Sequence, residues 1–490
     1  MIQIEGLSYR FQGNEQYALR DVSLEVEPGE FLVVTGPSGC GKSTLALAIG
    51  GYLFRQFDGE AVGRVTIAGM DARSSPIYDV AEIVGLVQQN PEAQFCTLTV
   101  RDEVAFGLEN RNLPRQEIKE RLSWALSIVG AEHLVDRSLA TLSGGEKQKV
   151  AIAAMMAARP QVLVFDEPTS SLDPTATAEI FGVIEHIRAK VGITVLVIEH
   201  KVDYLRPFHP RLVAMDAGRI LHDGPLVTAP GVQPYAGPRS ELAVQGGGEA
   251  SHSSPLLRVE DVYAGYDGRP VLRGVDCQVY PGEFVSVMGD NGSGKTTFLH
   301  CLLGLRKPSQ GRVRVLGHDT RQAPVSVLAR EVGFVFQNPD HQLFADSVWE
   351  EATFAASNFG TLDGSTEERA GELLAASGLD SRCDDHPYRL SYGQKRRLNL
   401  ISVLSYNPKL ILLDEVLIGQ DPASAAFLLG LLQADVADGG AVIMVNHAPR
   451  ITHRYASRVL FFNGGQIVVD APTGRAFAQL QAQGRDAYVA

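Results

Sequence analysis

The nine residues Gly36-Pro37-Ser38-Gly39-Cys40-Gly41-Lys42-Ser43-Thr44 constrain this chain more than any other stretch. They stand between an apolar run, Phe31 to Val34, and a Leu/Ala pattern, Leu45 to Ile49, which predicts strand, loop and helix in that order. Glycines at this spacing let the backbone curl its N–H groups around phosphate oxygens at the positive end of the helix. Lys42 is then set to reach the β and γ phosphates of a nucleotide, and Ser43 to ligate Mg²⁺. This P-loop pattern occurs twice. Gly289-Asp290-Asn291-Gly292-Ser293-Gly294-Lys295-Thr296-Thr297 follows the apolar run Phe284 to Met288, with Thr296 in the place of Ser43. Two such units in 490 residues predict two domains.

A formal charge of -13 argues against nucleic acid as a partner, because phosphate-backbone binders present a basic face. The five cysteines, Cys40, Cys96, Cys277, Cys301 and Cys383, are scattered without CxxC spacing, so neither a disulfide framework nor a zinc site is expected, and a reducing cytoplasm fits. No run of 18 apolar residues and no signal peptide is present. The expectation is a soluble protein that does not itself cross a membrane.

Further residues fall where chemistry needs them. Short strands precede the first P-loop, and Phe11 is an aromatic on which adenine can stack, with Tyr266 as its counterpart in the second half. The run Ile83 to Gln89 predicts a strand ending in Gln89, a polar side chain within reach of Mg²⁺ or the attacking water. An amphipathic helix is predicted over 115–130. Leu142-Ser143-Gly144-Gly145-Glu146 then opens another helix, aiming a hydroxyl and backbone N–H groups at an anion. The unbroken apolar strand Val162 to Phe165 ends in Asp166 and Glu167, one acid for Mg²⁺ and one to polarise water. Ser171-Leu172-Asp173 follows, and the strand Val195 to Ile198 closes with Glu199 and then His200, an imidazole for the γ-phosphate.

Taken in this order, P-loop, strand-end Gln, LSGGE, Asp-Glu, SLD and strand-end His resemble the ATP-binding cassette (ABC) ATPases over nearly the whole chain. The second half repeats the set as Lys295, Gln337, Ser391, Asp414, Glu415, Asp421 and His447, at offsets of 247 to 253 residues. The resemblance implies two α/β P-loop domains, each with a mainly parallel sheet core, an antiparallel β subdomain and a helical subdomain. Their expected bounds are 1–228 and 256–480, with a Gly/Pro/Ser-rich linker at 229–255 and a tail at 481–490; the stretch 471–490 carries no evident chemistry.

The same resemblance implies that each ATP lies between one P-loop and the opposite half's Ser-led helix start. Lys42, Asp166, Glu167 and His200 would then work with Ser391, Tyr392 and Gly393, and Lys295, Asp414, Glu415 and His447 with Ser143, Gly144 and Gly145. ATP with Mg²⁺ is the implied ligand. Catalysis is assigned to Glu167, Glu415, His200 and His447, and metal ligation to Ser43, Gln89, Asp166, Thr296, Gln337 and Asp414. Tyr392 replaces a glycine, and its bulk, or a glycine-only dihedral at that position, is expected to weaken the site it belongs to.

Within the family, Gln89-Asn90-Pro91-Glu92-Ala93-Gln94-Phe95 and Gln337-Asn338-Pro339-Asp340-His341-Gln342-Leu343-Phe344 resemble the energy-coupling factor ATPases of vitamin and metal-ion importers. That likeness implies work at the cytoplasmic face of the membrane, one fused chain driving an integral coupling subunit joined to a substrate-binding membrane subunit. Glu92, Gln94, Phe95, Asp340, Gln342 and Phe344 are the expected contacts, in acidic segments with apolar residues Leu98, Val100, Leu343 and Val348. Fused sugar-importer ATPases and soluble ribosome-associated cassettes are the alternative readings. The latter carry a long charged helical linker where this chain is rich in Gly, Pro and Ser.

Overall fold

A computed structural model describes residues 1–14, 16–226, 254–266, 268–417, 420 and 422–489. The expected linker, apart from Ser254 and Pro255, lies outside the described residues, as do Ile418, Gly419 and Asp421. The chain divides into two compact units, Met1–Pro234 and Tyr235–Ala490.

In the first unit the strands are β1 Ile2–Phe11, β2 Leu19–Val26, β3 Phe31–Thr35, β4 Gly59–Ile67, β5 Met70–Asp71, β6 Val84–Val87, β7 Val162–Asp166, β8 Thr194–Ile198, β9 Arg211–Asp216 and β10 Arg219–Pro225. They form an antiparallel sheet in the order β2-β1-β4-β5 and a six-stranded sheet in the order β10-β9-β3-β8-β7-β6. The second sheet is parallel except for its edge strand β10. Period-2 geometry explains the unbroken apolar runs of its central strands: Phe31 and Val33 of β3 enter one core cluster, and Leu32 and Val34 enter the other. The first cluster takes in the helices Val100–Asn110, Arg115–Ile128 and Gly144–Ala157; the second takes in the P-loop helix Lys42–Ile49 and the antiparallel sheet.

The second unit repeats this plan with β11 Leu257–Tyr266, β12 Arg269–Val279, β13 Phe284–Gly289, β14 Gln310–Val315, β15 His318–Asp319, β16 Val332–Val335, β17 Leu410–Asp414, β18 Ala441–Val445, β19 Arg458–Asn463 and β20 Gln466–Pro472. Its sheets run β12-β11-β14-β15 and β16-β17-β18-β13-β19-β20, the same two orders. The α/β P-loop architecture expected from sequence is therefore present twice.

One expectation needs correction. Residues 481–490, expected as a tail, are packed: helix Thr473–Ala482 and the turn Asp486–Tyr488 close a hydrophobic cluster with Met288, Val459 and Phe461. Tyr488 is 2% exposed and meets Phe461 edge-on, with ring centroids 4.9 Å apart. An aromatic near the end of a sequence carries no periodic signal of such packing.

Candidate nucleotide-binding sites

Both P-loops start from a fully buried strand at the centre of the six-stranded sheet. Gly36 and Gly41 have φ of 150° and 106°, and Gly289 and Gly294 have 139° and 106°. A Cβ on Gly36 would lie 2.1 Å from Met215 O, and one on Gly41 would lie 2.3 Å from Ala18 O. Only glycine fits these positions, and the resulting curl turns successive N–H groups toward one concave face. Lys42 Nζ donates to Gly36 O and Pro37 O, both at 2.9 Å, and Lys295 Nζ to Gly289 O and Asp290 O at the same distance.

β7 and β17 deliver the acids to this face. Ser43 Oγ donates to Asp166 Oδ1 at 3.1 Å, and Thr296 Oγ1 to Asp414 Oδ1 at 3.3 Å. Burial pushes both aspartates up to about 6; the Ser43 and Thr296 hydrogen bonds oppose the rise, and the adjacent Glu167 and Glu415 charges add to it. A hydroxyl beside a carboxylate is a hard-oxygen pair suited to Mg²⁺, which takes one or two such ligands and completes its shell with phosphates and water. Among the described residues no group of three or more His, Cys, Asp or Glu could hold a metal ion.

The next residue in each half, Glu167 or Glu415, sits in the left-handed region at φ 47° or 50°. A non-glycine residue there costs about 1–2 kcal/mol, and such strain gathers where a side chain must be aimed. The Glu167 N–H is fixed by Ile198 O at 2.9 Å. Glu167 Oε1 lies 3.1 Å from His200 Nε2, and its Oε2 accepts from Gln89 Nε2 at 3.2 Å. Glu415 receives the same two partners, His447 and Gln337, each at 2.8 Å. Burial alone would raise the Glu167 pKa. The His200 hydrogen bond and the charges of His200, Lys42 and Lys201 outweigh it, holding the group below the usual range as a carboxylate. The four strand-end groups singled out in each half are thus brought together.

Sequence reasoning missed the struts behind His200. Thr169 Oγ1 donates to the buried Glu199 Oε2 at 2.6 Å, and Lys201 Nζ donates to Thr169 O at 2.6 Å and Leu172 O at 3.4 Å. The matching second-half positions are Leu417, Asn446 and Ala448, where Asn446 instead bonds Thr452 and Ala448. The change of all three residues together was the readable signal.

Ser143 and Ser391 each cap a helix with a reciprocal bond from the residue three places on, Glu146 or Gln394. Acting as acceptors there, their hydroxyls keep a hydrogen to donate. Tyr392 opens its helix without a positive φ, so the expected glycine-only strain is absent. The ring is 45% exposed, and its hydroxyl accepts from Arg396 at 2.9 Å. Phe11 packs edge-on against Tyr9 and Phe57, whereas exposed Tyr266 carries the Arg306 guanidinium 4.5 Å above its ring.

The acidic segments are less open than their composition suggests. Glu103 Oε2 accepts from Cys96 N, Thr97 N and Thr97 Oγ1, and Glu351 Oε2 from Phe344 N and Ala345 N, so both are buried braces. Glu92 pairs with Lys147, and Asp340 with Lys395 at 2.7 Å. Gln94 and Gln342 turn back to accept from Gln88 N and Phe336 N. Of the apolar set, Val100, Leu343 and Val348 are core residues and Phe95 packs against the core; Leu98 and Phe344 stand out, 82% and 70% exposed. Phe344 stacks on Phe354 at 6.2 Å.

The end of the chain also reaches a P-loop. Tyr488 Oη donates to Asp290 Oδ1 at 2.6 Å, and Arg485 Nη1 lies 3.8 Å from Asp290 Oδ2.

Comparison with known proteins identifies the family. The family described as ABC transporter matches residues 19–170 and 272–417. A Methanosarcina mazei protein with the provisional name ABC transporter ATP-binding protein is 35% identical over 520 residues, covering 96% of this chain and 88% of the relative. A Bacillus subtilis protein with the provisional name HMP/thiamine import ATP-binding protein YkoD is 32% identical over 513 residues, covering 98% and 93%. The solved structure of cbiO1 from Clostridium perfringens, part of the ABC transporter complex cbiONQ, is 32% identical with a TM-score of 0.42, covering 46% of this chain and 87% of that one.

Proposed function

The chain belongs to the ABC transporter family of ATPases, and from that premise we propose that it powers import of a small substrate, a vitamin, vitamin precursor or metal ion, through a membrane complex of energy-coupling factor type. The observation that carries this reading is the placement of Leu98 and Phe344. Each projects from a segment whose leading glutamine, Gln89 or Gln337, is bonded to Glu167 or Glu415. A shift of those glutamines is thereby linked to a protruding apolar side chain, the kind of contact on which an integral membrane subunit can dock. Likeness over 98% of the chain to a protein named for HMP/thiamine import supports the direction of transport. Among the described residues no helix is long and apolar enough to cross a membrane, so the proposed place is the cytoplasmic face of a partner that does.

In this reading the curled N–H groups and Lys42 or Lys295 hold the phosphates, and Ser143 and Ser391 donate to a phosphate oxygen. Mg²⁺, when bound by Ser43 and Asp166 or by Thr296 and Asp414, neutralises phosphate charge. Glu167 and Glu415 take a proton from the attacking water, their carboxylates aimed by His and Gln on either side.

The test is copurification from membranes with the coupling and substrate-binding subunits. Replacing Leu98→Asp and Phe344→Asp together is expected to abolish assembly and uptake while ATP binding stays within about twofold. Normal assembly and uptake by this double variant would overturn the reading.

A further inference from the structure

The two Ser-led helices, Gly144–Ala157 and Tyr392–Leu404, differ along one face. The first presents Gly144, Gln148, Ala151 and Ala154; the matching residues of the second are Tyr392, Arg396, Asn399 and Ser402, spaced four, three and three apart on one side of the helix. All four side chains of the second helix make hydrogen bonds, though among the described residues Arg396 Nε and Asn399 Oδ1 meet no partner. Arg396 Nη1 donates to Phe336 O at 2.6 Å, and its Nη2 to Gln337 O and to Tyr392 Oη. Asn399 Nδ2 donates to Pro339 O at 2.9 Å, while Gln342 Nε2 donates to Asn399 O at 3.0 Å and Ser402 Oγ at 3.3 Å.

In the first helix Gln148 is buried, yet its Nε2 meets no hydrogen-bond partner among the described residues, and the alanines offer none. Arg396 is 1% exposed, and its hydrogen bonds go to two main-chain carbonyls and a phenol. Burying a guanidinium against carbonyl dipoles alone is costly, so it persists where the planar fork fixes something. Here it grips two consecutive carbonyls, the second belonging to Gln337, whose side chain donates to Glu415 at 2.8 Å. The matching Gln89–Glu167 distance, without the fork, is 3.2 Å.

We propose that Arg396, steadied by Tyr392, is a positioning residue that clamps the main chain of Gln337 and so holds Glu415 in its hydrolytic orientation. Tyr392 in place of glycine is then half of a matched pair with Arg396, four residues on, rather than a defect. This inference rests on Glu415 acting as the base.

The test uses the full chain and measures kcat, KM and ATP affinity. Glu415→Gln first sets the share of turnover that depends on this carboxylate. Arg396→Gln, which installs the first half's residue, is expected to remove most of that share with ATP affinity changed less than about threefold, and Tyr392→Phe a smaller part of it. In a Gln337→Ala background, Arg396→Gln is expected to add nothing, because both act through one contact; a merely structural role would give additive losses. Unchanged turnover in Glu415→Gln would overturn the catalytic role of Glu415, and with it this inference. Loss in Glu415→Gln with full kcat in Arg396→Gln, or additive losses, would overturn this inference alone. Should Arg396→Gln fail to fold, Tyr392→Phe decides by the same criteria.

Discussion

His447 Nε2 lies 2.8 Å from Glu415 Oε1, and the other oxygen of that carboxylate takes the Gln337 amide at the same distance. Two side chains from different strand ends thus aim both oxygens of one left-handed glutamate. Bonding from both sides holds the carboxylate in one orientation, as the general-base role proposed for it requires.

Glu415→Gln keeps the shape of this constellation and removes its basicity. Phosphate release from MgATP by the purified chain should fall by about 10²-fold if the second half carries most turnover. A loss confined to Glu167→Gln would place the chemistry in the first half.

Lys201→Met removes the strut from Thr169 O and Leu172 O. The segment after Glu167 then loses a charge-assisted bond, typically about 1.5–3 kcal/mol. Steady-state kinetics should show a several-fold drop in kcat with little change in KM. Thr169→Val in the Lys201→Met background should cost little more if the two act as one strut.

Tyr488→Phe deletes only the hydroxyl that holds Asp290. A hydrogen bond to a carboxylate of about 1.5 kcal/mol corresponds to roughly tenfold in affinity. Fluorescent-ATP titration of Lys42→Ala, in which the second P-loop dominates, should report a weakening of about that size when Tyr488→Phe is added.

Asp435 is buried on the helix Pro422–Ala437, with its carboxylate 3.8 Å from Arg369 and Asp438 nearby; burial pushes its pKa up to about 6. A carboxyl whose folded pKa lies above its unfolded value of 3.8 binds more protons when folded between those values. Its ionisation therefore erodes stability as pH rises from about 4 through 6, and the cost is fully present above. Asp435→Asn should gain on the native protein as pH is raised from 5 to 8, by on the order of 1 kcal/mol in urea titrations. A difference that does not vary with pH would count against this assignment.

How much of this was legible in the sequence depended on the range of the interaction. Lys42, Asp166 and Gln89 each end or follow an apolar strand, so local pattern announced them. Acidic composition does not show that Glu103 and Glu351 each fold back onto the turn before their helix. Arg396 bonds residues 59 and 60 places away, and Tyr488 one 198 places away, distances over which no periodicity speaks. The Arg396 signal was nonetheless present, since Tyr392 and Arg396 depart together from Gly144 and Gln148.

The P-loop strand sits at the middle of its sheet, a position that bears on how the protein is made. Val33 pairs with Val197 and Leu212, so β3 acquires its neighbours only after another 164 to 179 residues have been added. At about 5–20 residues per second, a strand with four consecutive apolar residues, Phe31 to Val34, waits for roughly 8 to 36 seconds with no strand on either side. β13 waits likewise for β18 and β19. Each half therefore passes through a nascent stage in which its phosphate-binding loop is already synthesised while the strand beneath it still lacks both neighbours.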